Sequence, residues 1–265
     1  MRLNITFSCR RGNNFLPVNY QYAISSWIYK RIAEANQKLA TSLHLQGYGE
    51  GNRKFKLFNF GPLDLRPYHF HRDRGVFELL GDQAKLSIGF YLPDMAEPFI
   101  KGVFLNNEVY IGDRINGVSL KVDQVEVADR PGFSETMTYR LLSPCCVTRP
   151  PGEEEAYAKY LWPDHAEFVP RLIRNLESRY EVASNIFSMA GVDDFDQEGG
   201  NIDFKVLGSK FKSKLIKIKA LTRSETKVRG WLFDCELTAP VEVQEFVWDV
   251  GLGEKGSMGF GMVEA

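Results

Sequence analysis

The apolar residues of this chain switch between two periods. Ala23, Ile24, Trp27, Ile28 and Ile32 recur at three- and four-residue spacing, which predicts an amphipathic helix from Asn19 to about Ala35. On its N-terminal side, Arg2-Leu3-Asn4-Ile5-Thr6-Phe7 alternates polar and apolar, the pattern of a half-buried strand. A chain that passes from strand period to helix period and back must lay helices on a sheet. Asn36 is placed to cap a short second helix, Gln37 to Leu43. Phe55 to Phe60 reads as a strand stopped by Gly61-Pro62. Val76 to Leu80 and Leu86 to Leu92 read as a hairpin across Gly81-Asp82, and Pro93 opens a helix running to about Phe104. Glu108 to Ile111 and Val118 to Val127 add two strands.

The order repeats after Asp129-Arg130-Pro131-Gly132, the best linker. Thr136 to Leu142 is a strand and Phe168 to Tyr180 a helix. Lys214 to Leu221 and Lys227 to Leu237 form a strand pair, Pro240 opens a helix to Val250, and Met258 to Val263 is a last strand. The fold class expected is therefore α+β, with two tandem ferredoxin-like (RNA-recognition-like) βαββαβ domains carrying extra hairpins, one over 1–128 and one over 133–265. At 265 residues, either arrangement of one or two domains can bury a core.

The formal charge is −1, with 33 Lys+Arg against 34 Asp+Glu, so overall basicity gives no argument for a polyanionic partner. Local charge does. From Lys205 to Arg229 there are nine cations, among them Lys210, Lys212, Lys214 and Lys217, against one acid, Glu225. Strand alternation would put Lys217 and Lys219 on one face and Ile216 and Ile218 on the other, a two-faced basic hairpin suited to a phosphate backbone. Lysines also guard sheet edges, so the segment alone leaves both readings open.

Glycine supplies the second signal. Gly251, Gly253, Gly256, Gly259 and Gly261 fall within eleven residues that also hold Lys255 and Ser257. Such a run lets backbone approach a ligand and aim N–H groups at phosphates. Gly251-x-Gly253-x-x-Gly256 formally matches a dinucleotide fingerprint, but that motif must follow a strand, and here a helix precedes it.

Histidine supplies the third. His69-Phe70-His71 in a strand would set two imidazoles on one face near Asp73, yet no further ligands cluster there and no metal or cofactor is expected. His44 ends a short helix just before Gly47-Tyr48-Gly49-Glu50-Gly51 and the basic run Arg53-Lys54-Phe55-Lys56. Cys9, Cys145, Cys146 and Cys235 contain no CxxC pair and are expected as reduced thiols. Met1–Ile5 lacks the apolar core of a signal peptide, and no apolar run approaches the roughly 20 residues of a membrane helix. A cytoplasmic protein with no membrane partner is expected.

The Gly251–Gly261 loop with its following strand is similar to the signature of the CRISPR-associated RAMP-superfamily endoribonucleases that process precursor crRNA. Leu16-Pro17-Val18-Asn19-Tyr20-Gln21-Tyr22, Trp27-Ile28-Tyr29, Leu39-Ala40-Thr41-Ser42-Leu43-His44 and Phe55-Lys56-Leu57-Phe58-Asn59-Phe60 occur in that family's order and spacing. The resemblance touches both ends of the chain. It implies two ferredoxin-like domains, cleavage within the CRISPR repeat without metal, and catalysis by His44, Tyr29 and Lys56, with Lys54 the competing match for the lysine. It also implies repeat RNA as the partner, and leaves open an effector complex and a homodimer. The chemistry is compatible: RNA carries its own nucleophile in the 2′-hydroxyl, and an imidazole can move the protons at neutral pH. The products would be a 2′,3′-cyclic phosphate and a 5′-hydroxyl. A protein of the same superfamily that holds repeat RNA without cutting it is the alternative.

Overall fold

The computed structural model describes residues 1–49, 51, 54–152, 157–189 and 202–265. The chain forms two compact units. Met1–Leu45, Phe60–Ala128 and Ile216–Lys227 make the first; Gln46–Asn59, Asp129–Leu215 and Val228–Ala265 make the second.

In the first unit, β1 (Arg2–Pro17) is a long strand whose pairing shifts between Thr6 and Phe7 and again between Cys9 and Asn14. It is followed by α1 (Gln21–Ala35), α2 (Gln37–Leu45), β2 (Phe58–Phe60, of which Phe60 falls in this unit), β3 (Tyr68–His71), β4 (Val76–Leu79), β5 (Gln83–Phe90), α3 (Pro93–Leu105), β6 (Glu108–Gly112) and β7 (Gly117–Val127). Strand β1 lies between β5 and β7, both antiparallel to it, and β2 lies beyond β5. The order β7-β1-β5-β2 with α1 and α3 as crossovers is the ferredoxin-like arrangement. The additions are β6, beside β7, and the pair β3–β4.

The expected hairpin between Val76–Leu80 and Leu86–Leu92 does not form. Both β4 and β5 run antiparallel along the same long β1, β4 against Phe15–Pro17 and β5 against Arg2–Ser8. The Leu80–Asp82 segment is thus an interruption opposite the irregular middle of β1, where Cys9 N–H donates to the Asp82 carbonyl at 2.7 Å. The hairpin partner of β4 is β3, across a turn at Gly75. The expected Phe55–Phe60 strand is shorter, because Leu57 takes a left-handed φ of +49° just before β2.

The core of this unit follows the alternation of β1. Leu3, Ile5 and Phe7 are buried, as are Ile24, Trp27, Ile28 and Ile32 of α1 and Met95, Phe99 and Val103 of α3. Trp27 joins them, edge-on to Phe7 at 5.7 Å and to Phe99 at 5.4 Å. Each such side chain contributes about 1.5–3 kcal/mol when fully buried. The two helices meet closely at Gly102, where an added Cβ would lie 1.8 Å from the Arg31 carbonyl oxygen.

The second unit is built from β8 (Thr136–Leu141), β9 (Thr148–Arg149), β10 (Lys159–Tyr160), α4 (Phe168–Met189), β11 (Asp203–Ile218), β12 (Thr226–Thr238), α5 (Val241–Val250), a 3-10 turn Gly256–Met258 and β13 (Val263–Glu264). Its sheet has the order β11-β12-β8-β13, again with the first strand between the third and the fourth, and with α4 and α5 as crossovers. Phe168, Leu172 and Leu176 of α4 and Val243, Phe246 and Val247 of α5 are buried, along with Phe233 of β12. Strand β11 starts well before the expected Lys214 and stops at Ile218, since Lys219 and Leu221 both take left-handed φ values, +52° and +61°. The expected last strand from Met258 is replaced by the 3-10 turn and the two-residue β13. Cys145, Cys146 and Cys235 are buried free thiols. No helix among the described residues is long and apolar enough to cross a membrane.

Candidate functional site

Asn36 ends α1 and starts α2 without an intervening loop: its side-chain oxygen accepts from the Leu39 N–H at 3.0 Å, satisfying one of the open donors of the new helix. Ala40 and Leu43 bury one face of α2, and His44, in its last turn, is exposed. Tyr29, half-buried on α1, meets His44 edge-on, with ring centroids 5.6 Å apart and planes at 82°. Two of the three expected catalytic side chains are therefore in contact within the first unit. A phenol and an imidazole so placed can orient a hydroxyl and move its proton.

Lys56 lies in the second unit. Tyr48 and Phe55 exchange backbone hydrogen bonds of 2.7 and 2.8 Å, closing the loop between them. Glu50 and Arg53 of that loop lie outside the described residues. Gly47 has φ +67°, and a Cβ there would fall 2.6 Å from the Phe55 carbonyl oxygen and 3.2 Å from the Lys56 amine, so the lysine lies over a position that must stay bare. Lys56 is half-buried, and burial first, then the Lys54 ammonium, pulls its amine below the usual lysine range. Lys54 is exposed.

The glycine loop divides into two parts. Gly251, Gly253, Gly259 and Gly261 are buried, with φ values from +70° to +80°. A Cβ on Gly251 would lie 2.0 Å from the Asn59 side-chain nitrogen, one on Gly253 2.6 Å from the Cys146 carbonyl oxygen, and one on Gly261 1.8 Å from that of Leu252. The N–H groups of Leu252, Glu254, Gly259 and Gly261 are donated within the unit, to Gly261, Cys146, Gly256 and Pro144. What reaches the surface is Lys255, with φ +64°, and the half-exposed Gly256 and Ser257. The buried glycines serve close packing of the protein on itself, and Lys255–Ser257 is the stretch a ligand can meet.

Three residues that hold this loop were not anticipated. Arg179 of α4, almost wholly buried, donates to the carbonyl oxygens of Val250 at 2.8 Å, Gly251 at 3.1 Å and Gly253 at 2.9 Å. Burial pulls its guanidinium down to about 10. Asn59, fully buried, donates to the Val250 carbonyl at 3.2 Å. Glu254 accepts from the Thr148 N–H at 2.7 Å. Arg179 had a sequence signal, since it falls on the apolar stripe Phe168-Leu172-Leu176-Ala183 where a charge must find partners. Asn59 had none.

Of the basic segment, Lys210, Lys212 and Lys214 are exposed at alternate positions of β11, the outermost strand of its sheet, and so share one face. Lys217 differs: Glu225 pairs with it at 3.2 Å. Lys219 is no strand residue and stands 5.7 Å over the Tyr22 ring, which removes it from the face expected to carry Lys217. His69 and His71 of β3 have ring centroids 4.6 Å apart, and His71 Nε2 lies 2.6 Å from Glu78 Oε2. No group of three metal-ligating side chains occurs among the described residues.

Known proteins share this chain's pattern from end to end. The family model "CRISPR-associated protein Cas6, N-terminal" matches residues 15–125, and "CRISPR associated protein Cas6, C-terminal" matches residues 126–265. The CRISPR-associated endoribonuclease Cas6 1 of Methanocaldococcus jannaschii is 28% identical over 94% of this chain and 86% of its own length. The CRISPR-associated endoribonuclease Cas6 of Pyrococcus furiosus is 26% identical over 94% of this chain and 83% of its own length. A solved structure of CRISPR associated protein Cas6 superposes with a TM-score of 0.74 at 25% identity, covering 100% of this chain and 98% of that one.

Proposed function

The chain belongs to the Cas6 family, and from that premise we propose that it is an endoribonuclease that cuts CRISPR repeat RNA in precursor crRNA without a metal ion. The observation that carries this reading is the Tyr29–His44 ring pair at the exposed end of α2, at the two positions where the resemblance puts catalytic residues. In the reaction, the 2′-hydroxyl oxygen attacks the adjacent phosphorus, the P–O5′ bond breaks, one proton leaves the attacking oxygen and one reaches the departing 5′-oxygen. His44 can serve either proton transfer, and Tyr29 can hold the 2′-hydroxyl in line. Lys56, partly desolvated, would set its charge against the negative charge that grows on the phosphate. The products are a 2′,3′-cyclic phosphate and a 5′-hydroxyl. Lys210, Lys212 and Lys214, with Lys255, Gly256 and Ser257, would hold the RNA backbone.

The test is single-turnover cleavage of labelled repeat RNA in EDTA, wild type against His44→Ala. General acid–base help is worth about 10²–10⁴-fold, so a drop of that size with RNA binding retained is expected. His44 is exposed and its contact with Tyr29 is a single ring edge, so its loss should lower stability by no more than about 1 kcal/mol. Tight binding with no cutting by either protein would favour the non-cleaving RNA-holding alternative.

A further inference from the structure

The second unit contains a cleft of about 280 Å³ lined by Phe55, Thr148, Pro150, Arg171, Arg174, Asn175, Ser178 and Glu254, of which Thr148 and Glu254 have a role above, in holding the glycine loop. Its walls differ in chemistry. One is the half-buried Phe55 ring, held by the Tyr48–Phe55 backbone pair. Arg174, exposed at the rim on α4, makes no ion pair among the described residues, whereas Arg171 is engaged by Glu167 at 2.7 Å. Asn175, on α4 beside Arg174, is half-buried in the cleft lining. Glu254 takes the Thr148 hydroxyl at 2.9 Å on one carboxylate oxygen and at 3.0 Å on the other, and the single hydroxyl proton can serve only one of them.

The cleft thus sets an aromatic face, an exposed cation and a carboxylate with spare acceptor capacity around one opening. A group that fits it must bring hydrogen-bond donors, a flat face for Phe55, and negative charge for Arg174. An unpaired nucleotide has all three, and the volume is below the usual range for drug-sized ligands, enough for one base.

We infer that this cleft takes one unstacked nucleobase of the bound RNA, with its ring on Phe55, its amino group on Glu254 and its phosphate on Arg174. Adenine, cytosine and guanine offer an exocyclic amino group there; uracil offers only its single ring N3–H, and ranks last. Phe55 directly precedes Lys56, so the base held on it fixes which nucleotide stands next to that lysine. The cleft is a reading notch in a site that otherwise meets phosphates. The inference rests on RNA as ligand.

The experiment uses the whole protein and repeat RNA blocked by a 2′-deoxy sugar at the cut site, so that binding is read apart from cleavage. A single abasic substitution is walked along the RNA. One position should weaken binding by about tenfold, the usual scale of base–aromatic stacking. In Phe55→Ala that same substitution should cost no more than about twofold, because the stacking partner is already gone. With intact bases at that position, uridine should bind weakest. No abasic penalty removed by this variant, or uridine equal to the other bases, overturns the notch while leaving RNA binding intact. Failure of the unmodified RNA to bind would instead sink the RNA reading itself. Should Phe55→Ala fail to fold, exposed Arg174→Gln enters the same cycle. It is expected to flatten the log–log salt dependence by about 0.7 for each phosphate it no longer neutralises, and an unchanged slope with an unchanged abasic penalty counts against the notch.

Discussion

Within the second unit, the loop Gly251–Gly261 and the strand β11 meet the solvent by opposite means. The loop is held from beneath: Arg179 gathers three of the carbonyls at its entry, Asn59 takes one of the same carbonyls, and four glycines leave no room for a Cβ or take φ values that disfavour one. Its conformation is over-determined, and little of it faces outward. In β11, past Gly208 with its φ of +77°, the proposed role rests in side chains, three exposed lysines on an outermost strand. A glycine-rich segment and a lysine-rich segment both suggest phosphate from composition alone, but only in the second do the signature residues themselves face the solvent.

The largest effect should come from the loop. Gly261→Ala puts a methyl group 1.8 Å from the Leu252 oxygen at φ +77° and should destabilise the protein by roughly 3–5 kcal/mol, read as a fall in the urea midpoint. RNA affinity per folded molecule should change far less. A variant that melts normally and loses RNA would reverse the comparison and give the buried glycines to the ligand. Next is the strand. Lys212→Gln with Lys214→Gln should leave stability within about 0.5 kcal/mol and make the log–log salt dependence of RNA binding shallower by roughly 1.4–1.8. An unchanged slope removes β11 from the interface.

The smallest effect separates the two candidate lysines. If Lys56 acts as its charged form, cleavage is lost on the alkaline side below pH 10.5, the ordinary lysine value, because burial favours the neutral amine. Lys54→Gln removes a like charge, so the protonated form of Lys56 is favoured and the alkaline limb should move to higher pH. Abolished cleavage in Lys54→Gln, measured as a pH–rate profile, would instead make Lys54 the catalytic lysine.

How much of this was legible in the sequence depended on the range of the interaction. The period of Ile24-Trp27-Ile28-Ile32 found α1, Asn36 announced the α1–α2 junction, and Pro93 and Pro240 marked helix starts, since each is a local matter of spacing or backbone chemistry. What misled was local evidence about non-local pairing. Gly81-Asp82 looks like a hairpin turn, yet β4 and β5 share the edge of a strand far earlier in the chain. Lys219 looked like the next strand residue until its left-handed φ and the Tyr22 ring claimed it. At the site, the sequence singles out Tyr29 and His44, and their rings stand 5.6 Å apart. Asn59 was invisible, because an amide becomes informative only when the fold decides what surrounds it.

The lysines of β11 have one more property. Alternate strand residues stand roughly 6.6–6.8 Å apart, so Lys210, Lys212 and Lys214 form an evenly graduated scale. A polyanion laid along equal marks is held equally well after sliding by one mark. Such a scale measures distance but has no zero, and a cut at one bond of a repeat needs an origin supplied from elsewhere on the molecule.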